Sequence, residues 1–388
     1  MMNDPRPTPA AFARPVALKP AASSKAAIKI AFGILAALVA LLFGLIVLLL
    51  IGFETGLVPL LIGLVTAVVP VPLYLILVLW IDRYEAEPFW MLATAFFWGA
   101  LVSVFFALII NTISGEAVAI MTASRQAGHT FGAVISAPIV EESAKALILV
   151  IFFFAKKDEF DGVIDGIVYA GMSGLGFAMT ENILYYGKAV ISPDVGLMVV
   201  FIIRGILAPF SHPMFTSFTG IGLGLARQSR NTAVKWIAPP LGLLAAISMH
   251  SIWNGSGALF GGGAFILTYL LIMIPAFFIM LVVIGLGLRR EGQIVREHLA
   301  PDFQGGLLTQ QEYNQLCTIR GRMGSSFNAF SRGGLGHWQA ARQLNQTASE
   351  LAFHRSRVAR GINAADAHER EAAYRLALEN LLRQLRAT

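Results

Sequence analysis

The sequence has little charge and almost no cysteine. Only 13% of its 388 residues are charged, against about 25% in soluble proteins, and 56% are hydrophobic. The single cysteine, Cys317, excludes an internal disulfide framework and a cysteine-rich metal site. No cleavable signal peptide is recognised, because the first apolar run is too long for one and is followed by further runs. These absences predict a membrane protein.

The basic residues are distributed unevenly along the chain. The net charge of +6 could suggest nucleic acid, but the basic residues lie at the two ends and in short loops between apolar runs. This is the positive-inside pattern of membrane proteins, so no nucleic-acid partner is expected. Residues 1–29 are rich in Pro, Ala and basic residues and predict a disordered cytoplasmic tail. We expect a multi-pass protein of the cell (inner) membrane with both termini cytoplasmic.

Eight apolar stretches are each near the ~20 residues that a helix needs to cross the hydrocarbon. They predict an all-α fold, a polytopic membrane helix bundle of about eight spans. The sixth stretch is too long for one straight crossing and is interrupted at Pro209–Pro213. A single crossing as a broken helix keeps the basic loops on one side of the membrane. The predicted stretches are Ile30–Phe53, Val58–Trp80, Phe89–Asn111, Phe131–Ala155, Val163–Tyr186, Leu197–Ala226, Trp236–Asn254 and Gly263–Leu288.

The composition predicts two further domains after the N-terminal tail. Residues 30–288 are predicted to form the membrane-embedded domain, and residues 289–388 a small cytoplasmic helical tail that is rich in Arg and lacks Lys. Leu and Ala recur at helical spacing from His337 onward, which predicts an amphipathic helix. The Arg content suits anionic lipid headgroups or a partner, and a solvated helical hairpin is the alternative.

The fourth span carries charged residues where none are expected. Each ionisable residue in a span costs roughly 2.5–3.5 kcal/mol, so it needs a reason. Lys145 follows Glu141 and Glu142 by four and three residues, so it can pair with either carboxylate. It cannot neutralise both, so one Glu must keep a proton or find another cation. A buried ion pair that only holds helices together leaves this second Glu unexplained.

Three other spans carry polar groups. Irregular backbone at membrane depth is tolerated where it lines a cavity, so a His beside the break in the sixth span is expected to be functional. A His and an Asn four residues apart in the seventh span share a helix face, so the Asn can orient the imidazole or bind a substrate carbonyl. All are expected at or outside the membrane midplane. They are Glu181 and Asn182 in the fifth span, Arg204 and His212 in the sixth, and His250 and Asn254 in the seventh.

Carboxylates and imidazoles in a secluded cavity can activate water for amide hydrolysis, or they can carry protons or ions in a transporter. The sequence has no H-E-x-x-H zinc motif and no G-x-S-x-G nucleophile motif, and its cysteine lies in the tail. Hydrolysis would therefore use water as the direct nucleophile. A non-catalytic proton- or ion-coupled transporter and a membrane scaffold are the alternatives.

Five short motifs, in order along the chain, resemble those of the PrsW family of intramembrane endopeptidases, distant relatives of the CAAX prenyl proteases. The resemblance covers roughly residues 75–290. It implies cleavage of a membrane-anchored protein, of the kind represented by anti-sigma-factor regulators, near the extracytoplasmic half of the membrane. The motifs are Asp82-Arg83-Tyr84-Glu85-Ala86-Glu87-Pro88, Glu141-Glu142-Ser143-Ala144-Lys145, Phe177-x-x-x-Glu181-Asn182, His212, and His250-x-x-Trp253-Asn254.

The resemblance also implies a role for each residue. Glu141 would be the general base and Glu142 a second carboxylate, with Lys145 setting their protonation. Asn254 would hold the scissile carbonyl, with Asn182 as a supporting residue. Arg204 lies outside these motifs and is predicted to support the site as a counter-ion for the excess carboxylate. The two His residues would bind the water, a metal or the developing oxyanion.

The PrsW family is usually described as a metalloprotease family, which implies a metal in this chain. Zn²⁺ suits carboxylate and imidazole ligands, and a metal-free mechanism with Glu-activated water is the alternative. The candidate ligands are Glu142, Glu181, His212 and His250.

Overall fold

The structure is a computed structural model that describes residues 24–192, 195–361 and 366–386. Throughout these ranges the regular structure is helical, which confirms the predicted polytopic helical bundle. Most of the predicted N-terminal tail, residues 1–23, lies outside them, and the first helix begins at Ser24 rather than Ile30. The helices are α1 Ser24–Thr55, α2 Leu57–Val68, α3 Val71–Ile81, α4 Phe89–Phe97, α5 Val104–Thr122, α6 Arg125–Phe131, α7 Ala137–Ala155, α8 Val163–Ile191, α9 Leu197–Phe201, α10 Ser211–Gln228, α11 Thr232–Thr268, α12 Ile274–Gln304, α13 Gln310–Leu316, α14 Ile319–Ala359 and α15 Ala367–Arg386.

Six stretches of these described helices are long and apolar enough to cross a membrane. Two features account for the difference from the eight stretches in the sequence. The helix α7 is not among the six, since its charged residues interrupt the apolar character. The last stretch, Thr232–Gln304, has 73 residues, about 110 Å of helix, and it is broken at Gly261, where φ is 78°. Such a length suits two crossings of a core about 30 Å thick.

The helix α8 lies at the centre of the bundle. In its most apolar window 89% of the residues are buried, against 17% in α1. Glycines allow other helices to approach it closely. A Cβ on Gly176 would lie 2.0 Å from the Phe96 carbonyl oxygen, and one on Gly166 would lie 2.2 Å from the Gly220 carbonyl oxygen. The outer helices expose their apolar side chains, as the lipid-facing surface of a membrane protein requires.

The sixth span is broken near the predicted position. After α9 a π-helical turn ends at Leu207, and α10 begins at Ser211. Pro213 lies in the first turn of α10, where a missing N–H is tolerated. The far end of α10 lies beside the α7–α8 loop, because Arg227 Nε donates a 3.0 Å hydrogen bond to the Phe160 carbonyl oxygen. The break therefore lies where it was predicted, and Leu197–Gln228 forms one candidate span.

Residues 289–388 continue directly from the bundle. The predicted boundary at residue 289 falls inside α12, which runs without interruption to Gln304. Helices α13 and α14 pack against the end of α12, and α15 packs on α14. This tail docks on two loops of the bundle, through an ion pair of Arg357 with Glu85 and one of Arg360 with Asp161. We call the end of the bundle that carries the tail the tail side.

Candidate active site

The charged residues of α7 have separate partners. Lys145 Nζ lies 2.6 Å from Glu142 Oε1 and 3.9 Å from Glu141 Oε2, so the ammonium group pairs with Glu142. All three side chains are buried. Trp98 donates a hydrogen bond to the carbonyl oxygen of Ala144 and so braces this turn of α7 from the neighbouring helix.

Glu142 is fully bonded at both carboxylate oxygens. Oε1 accepts from Lys145 and from His250 Nδ1 at 3.0 Å, and Oε2 accepts a 2.8 Å hydrogen bond from Thr216. Because Nδ1 of His250 donates to Glu142, Nε2 of this imidazole carries the lone pair. The sequence reasoning missed Thr216, although it follows His212 by four residues on α10 and so lies on the same face.

A second group surrounds Glu181 on α8. His212 Nε2 donates to Glu181 Oε2 at 2.9 Å, and Arg204 forms an ion pair with the same carboxylate. Arg204 Nε also donates to Asn182 Oδ1 at 2.6 Å. Lys145 joins the two groups, because its ammonium lies 3.1 Å from His212 Nδ1. The predicted counter-ion role of Arg204 is thus directed at Glu181. We call these eight residues the polar cluster: Glu141, Glu142, Lys145, Glu181, Arg204, His212, Thr216 and His250.

Glu141 is the one carboxylate of the polar cluster that no cation of the cluster neutralises directly. Its Oε2 is buried and has no hydrogen-bond partner. It lies 3.9 Å from both Lys145 Nζ and His250 Nε2, too far for direct hydrogen bonds but suited to an atom bridging the gap. With Lys145 on Glu142 and Arg204 on Glu181, the third carboxylate needs a proton or another cation. The sequence predicted this excess without deciding which Glu carries it.

The metal-ligating atoms form a different set from the one predicted. Glu141, His212 and His250 each offer a ligand atom, and these atoms lie within 4.8 Å of one another. Two predicted ligands, Glu142 and Glu181, have their oxygens occupied by cations and hydrogen bonds. Both ring nitrogens of His212 are likewise bonded, Nε2 to Glu181 and Nδ1 to Lys145, so His212 could bind a metal only after releasing one of them. The orphaned oxygen of Glu141 and the lone pair of His250 Nε2 fit a divalent cation, and Glu and His are common zinc ligands.

Asn254 takes a different position from the other predicted residues. Its Nδ2 donates a 2.9 Å hydrogen bond to the Ala133 carbonyl oxygen, in the π-helical turn before α7. Asn254 therefore ties α11 to the start of α7, which carries Glu141. No hydrogen bond between it and His250 is found in the described residues.

An apolar cavity adjoins the cluster at the break in the sixth span. It has a volume of about 280 Å³ and is lined by Met214, Tyr269 and Phe277, among others. A narrow cleft lined by Asn182, Arg204 and His212 shares four wall residues with it. The two spaces are therefore neighbours, and an apolar group in the larger one would lie beside the cluster. The shared residues are Ala208, Pro209, Ser211 and Trp253.

The chain matches known proteins over the segment that holds the cluster. The model of a family described as PrsW family intramembrane metalloprotease matches residues 87–280, half of the chain. Protease PrsW of Bacillus subtilis (strain 168) is 32% identical over 175 residues, which cover 45% of this chain and 72% of that protein. The chain belongs to the PrsW family.

Other PrsW relatives give the same result. Protease PrsW of Geobacillus kaustophilus (strain HTA426) is 32% identical over 146 residues, 38% of this chain and 58% of that protein, so the match spans under two thirds of its length. Protease PrsW of Clostridioides difficile (strain 630) is 29% identical over 186 residues, 46% of this chain and 74% of that protein. No solved structure gives a significant match. The resemblance to the PrsW family seen in the sequence is therefore confirmed. The matching family model describes intramembrane metalloproteases.

The first PrsW-like motif, residues 82–88, lies away from the polar cluster. Asp82 accepts a 2.9 Å hydrogen bond from the backbone N–H of Glu87, and Glu87 accepts one from Tyr169 on α8. Tyr169 precedes Glu181 by 12 residues, about 18 Å of helix. Burial raises the pKa of Asp82 to about 7, and burial together with neighbouring carboxylates raises the pKa of Glu87 well above its usual range. This motif therefore anchors the tail-side end of α8, through the hydrogen bond between Tyr169 and Glu87.

Proposed function

We propose that this chain is an intramembrane endopeptidase that hydrolyses membrane-anchored proteins. One observation carries the proposal. Glu141 has a buried oxygen without a hydrogen-bond partner, 3.9 Å from His250 Nε2, while the other two carboxylates of the cluster are neutralised. An unpaired carboxylate facing an imidazole lone pair can take a proton from a water molecule between them.

The residues supply each proton transfer of amide hydrolysis. Glu141 accepts a proton from water as the water oxygen attacks the scissile carbonyl carbon. The buried ammonium of Lys145 stabilises the negative charge that develops on the carbonyl oxygen. Glu141 then gives its proton to the amide nitrogen as the C–N bond breaks. Glu142 takes no part in these transfers and instead orients Lys145 and His250, because both of its oxygens are already bonded.

A zinc ion would be held by Glu141 and His250, with His212 as a third ligand once one of its ring nitrogens is released from Glu181 or Lys145. When bound, it would polarise the carbonyl and lower the pKa of the attacking water. We expect about one zinc per purified chain, and a lower content in the His250→Ala variant, both measured by plasma mass spectrometry. Active protein free of metal would assign the reaction to the carboxylate and imidazole groups alone.

The site lies far from the tail side. Glu181 is about 27 Å along α8 from Val163, and His250 is about 27 Å along α11 from Thr232. The basic loop residues Lys156, Arg227 and Lys235 lie at or near the tail-side ends of their helices. The positive-inside rule therefore supports cytoplasmic termini in the cell (inner) membrane and cleavage in the extracytoplasmic half.

The neighbouring apolar cavity supports a membrane-anchored substrate. Its volume of about 280 Å³ can accept a large apolar side chain, and its walls come from the break before α10 and from α10, α11 and the start of α12. A segment that leaves the bilayer could place such a side chain there and its backbone beside Glu141. Anti-sigma-factor-like regulators with one membrane anchor are the substrate class we propose.

Proteoliposomes that contain a single-span protein test the function against the transporter alternative. We expect cleavage in the half of the span away from the tail side, mapped by mass spectrometry, and no proton flux. Cleavage should be lost in His250→Ala and retained in Glu116→Gln, whose exposed side chain lies outside the cluster. Proton flux that is lost in His250→Ala, without proteolysis, would contradict the proposal.

A further inference from the structure

A large groove on the tail side is separate from the polar cluster. It has a volume of about 1020 Å³ and lies between the end of α3 and the first half of α14. Leu79 and Arg83 line one wall, and Arg322, Phe327, Trp338 and Arg342 line the other. Leu79 belongs to the last turn of a candidate membrane span, so the groove reaches the edge of the bilayer.

The α14 wall presents an apolar face. Met323, Phe327 and Phe330 recur at intervals of four and three residues and are 54%, 70% and 47% exposed. Exposed apolar patches of this kind mark interaction surfaces. Two other large apolar side chains of the described tail are exposed, Leu335 in the same groove and Leu376 on α15. The helix breaks at Gly334, where φ is 66°, just beyond this face.

The groove is lined by three arginines, Arg83, Arg322 and Arg342, against one carboxylate, that of Asp82. Among the described residues, no carboxylate lies within 4.0 Å of the guanidinium groups of Arg83, Arg322 or Arg342. Arg83 stacks over Trp80 at 4.1 Å, and Arg342 over Trp338 at 4.9 Å. These stacks hold the two cations at the rim. Arg83 donates from Nε to the Trp80 carbonyl oxygen and from Nη1 to Met323 Sδ, so within the described residues its Nη2 group and the guanidinium of Arg342 remain for a ligand. Arg357 and Arg360, in the second half of α14, instead pair with acids of the bundle.

We propose that the groove binds an anionic phospholipid of the tail-side leaflet. The phosphate contacts Arg83 and Arg342, and an acyl chain lies along Phe327 and Phe330. An anionic amphiphile matches both the unpaired guanidinium groups and the apolar wall, and aromatic residues at this depth are typical of a membrane interface. The basic N-terminal residues of the chain are a poor match, because they carry charge of the same sign.

Bromolipid quenching of Trp338 tests the site. The full chain is reconstituted into phosphatidylcholine nanodiscs with a minor fraction of phosphatidylglycerol, and bromine is placed on the acyl chains of one lipid or the other. A Trp338→Phe variant supplies the background from the other tryptophans. We expect the Trp338 signal to be quenched severalfold more by brominated phosphatidylglycerol, at equal amounts of brominated lipid.

Two variant pairs decide the outcome. Replacing Arg83 and Arg342 with Gln should abolish the preference, whereas replacing Arg375 and Arg383, exposed arginines of α15, should leave it unchanged. If the first pair does not fold, Phe327→Ser with Phe330→Ser should reduce the quenching, since these exposed side chains are not needed for folding. Equal quenching by the two lipids would overturn the proposal. So would a Trp338 that neither lipid quenches because a second copy of the chain covers it.

Discussion

At the scale of single residues, the three carboxylates of the polar cluster differ in what neutralises them. Spacing along α7 allowed Lys145 to pair with Glu141 or with Glu142. The structure selects Glu142, because His250 and Thr216 also converge on it from α11 and α10. The sequence could show that one carboxylate is in excess, but contacts between distant helices decide which one it is.

Thr216 is predicted to stabilise the cluster through its hydroxyl. Thr216→Val keeps the shape and leaves Glu142 Oε2 without its donor, so we expect a loss of about 1.5–3 kcal/mol of stability. Thermal unfolding in detergent measures it. Thr216→Ser, which keeps the hydroxyl, is the matched control and should remain near the wild type. Equal effects of the two substitutions would show that the hydroxyl bond is unimportant.

At the scale of elements, close helix contacts set the position of the catalytic groups. Glycines recur along α8, but the sequence does not show which helix each one meets. Gly174 contacts α10 at His212, a residue of the polar cluster. A Cβ added at Gly174 would lie 2.8 Å from the His212 carbonyl oxygen and 2.7 Å from Pro213 N. The break in the sixth span was also predictable, since two prolines four residues apart interrupt the apolar run.

Gly174→Ala is therefore expected to displace His212. A shift near 1 Å at a catalytic group can reduce activity by about 10²-fold, while overpacking costs about 1–3 kcal/mol of stability. Rates of substrate cleavage and thermal unfolding measure the two effects. In Gly285→Ala, where nothing lies within 4 Å of the new Cβ, both should stay near the wild type. A fully active Gly174→Ala enzyme would show that this contact does not position His212.

At the scale of the whole molecule, the tail and the bundle are joined through residues 82–88 and the α7–α8 loop. Arg357 pairs with Glu85, and Tyr84 donates a 3.3 Å hydrogen bond to the Cys317 carbonyl oxygen. The sequence showed that the tail is helical and rich in Arg. It could not show that some of these arginines pair with bundle acids about 200 or more residues away.

This junction predicts a pH-dependent stability. Burial raises the pKa of Asp82 from 3.8 to about 7, so between these values the folded protein keeps a proton that the unfolded chain has lost. The contribution is complete below about pH 4 and disappears as the pH rises through about 7, amounting to roughly 4 kcal/mol at most. Unfolding temperatures from pH 5 to 8 should fall less steeply in Asp82→Asn. An unchanged slope would contradict this account.

Cleavage by the Glu141→Gln variant tests the central claim most directly. The substitution keeps the size of the side chain and removes the proton acceptor, and the affected oxygen has no hydrogen bond to lose. We therefore predict a protein that unfolds at or above the wild-type temperature and cleaves a reconstituted single-span substrate at least about 10²-fold more slowly. Wild-type cleavage by folded Glu141→Gln protein would contradict the account.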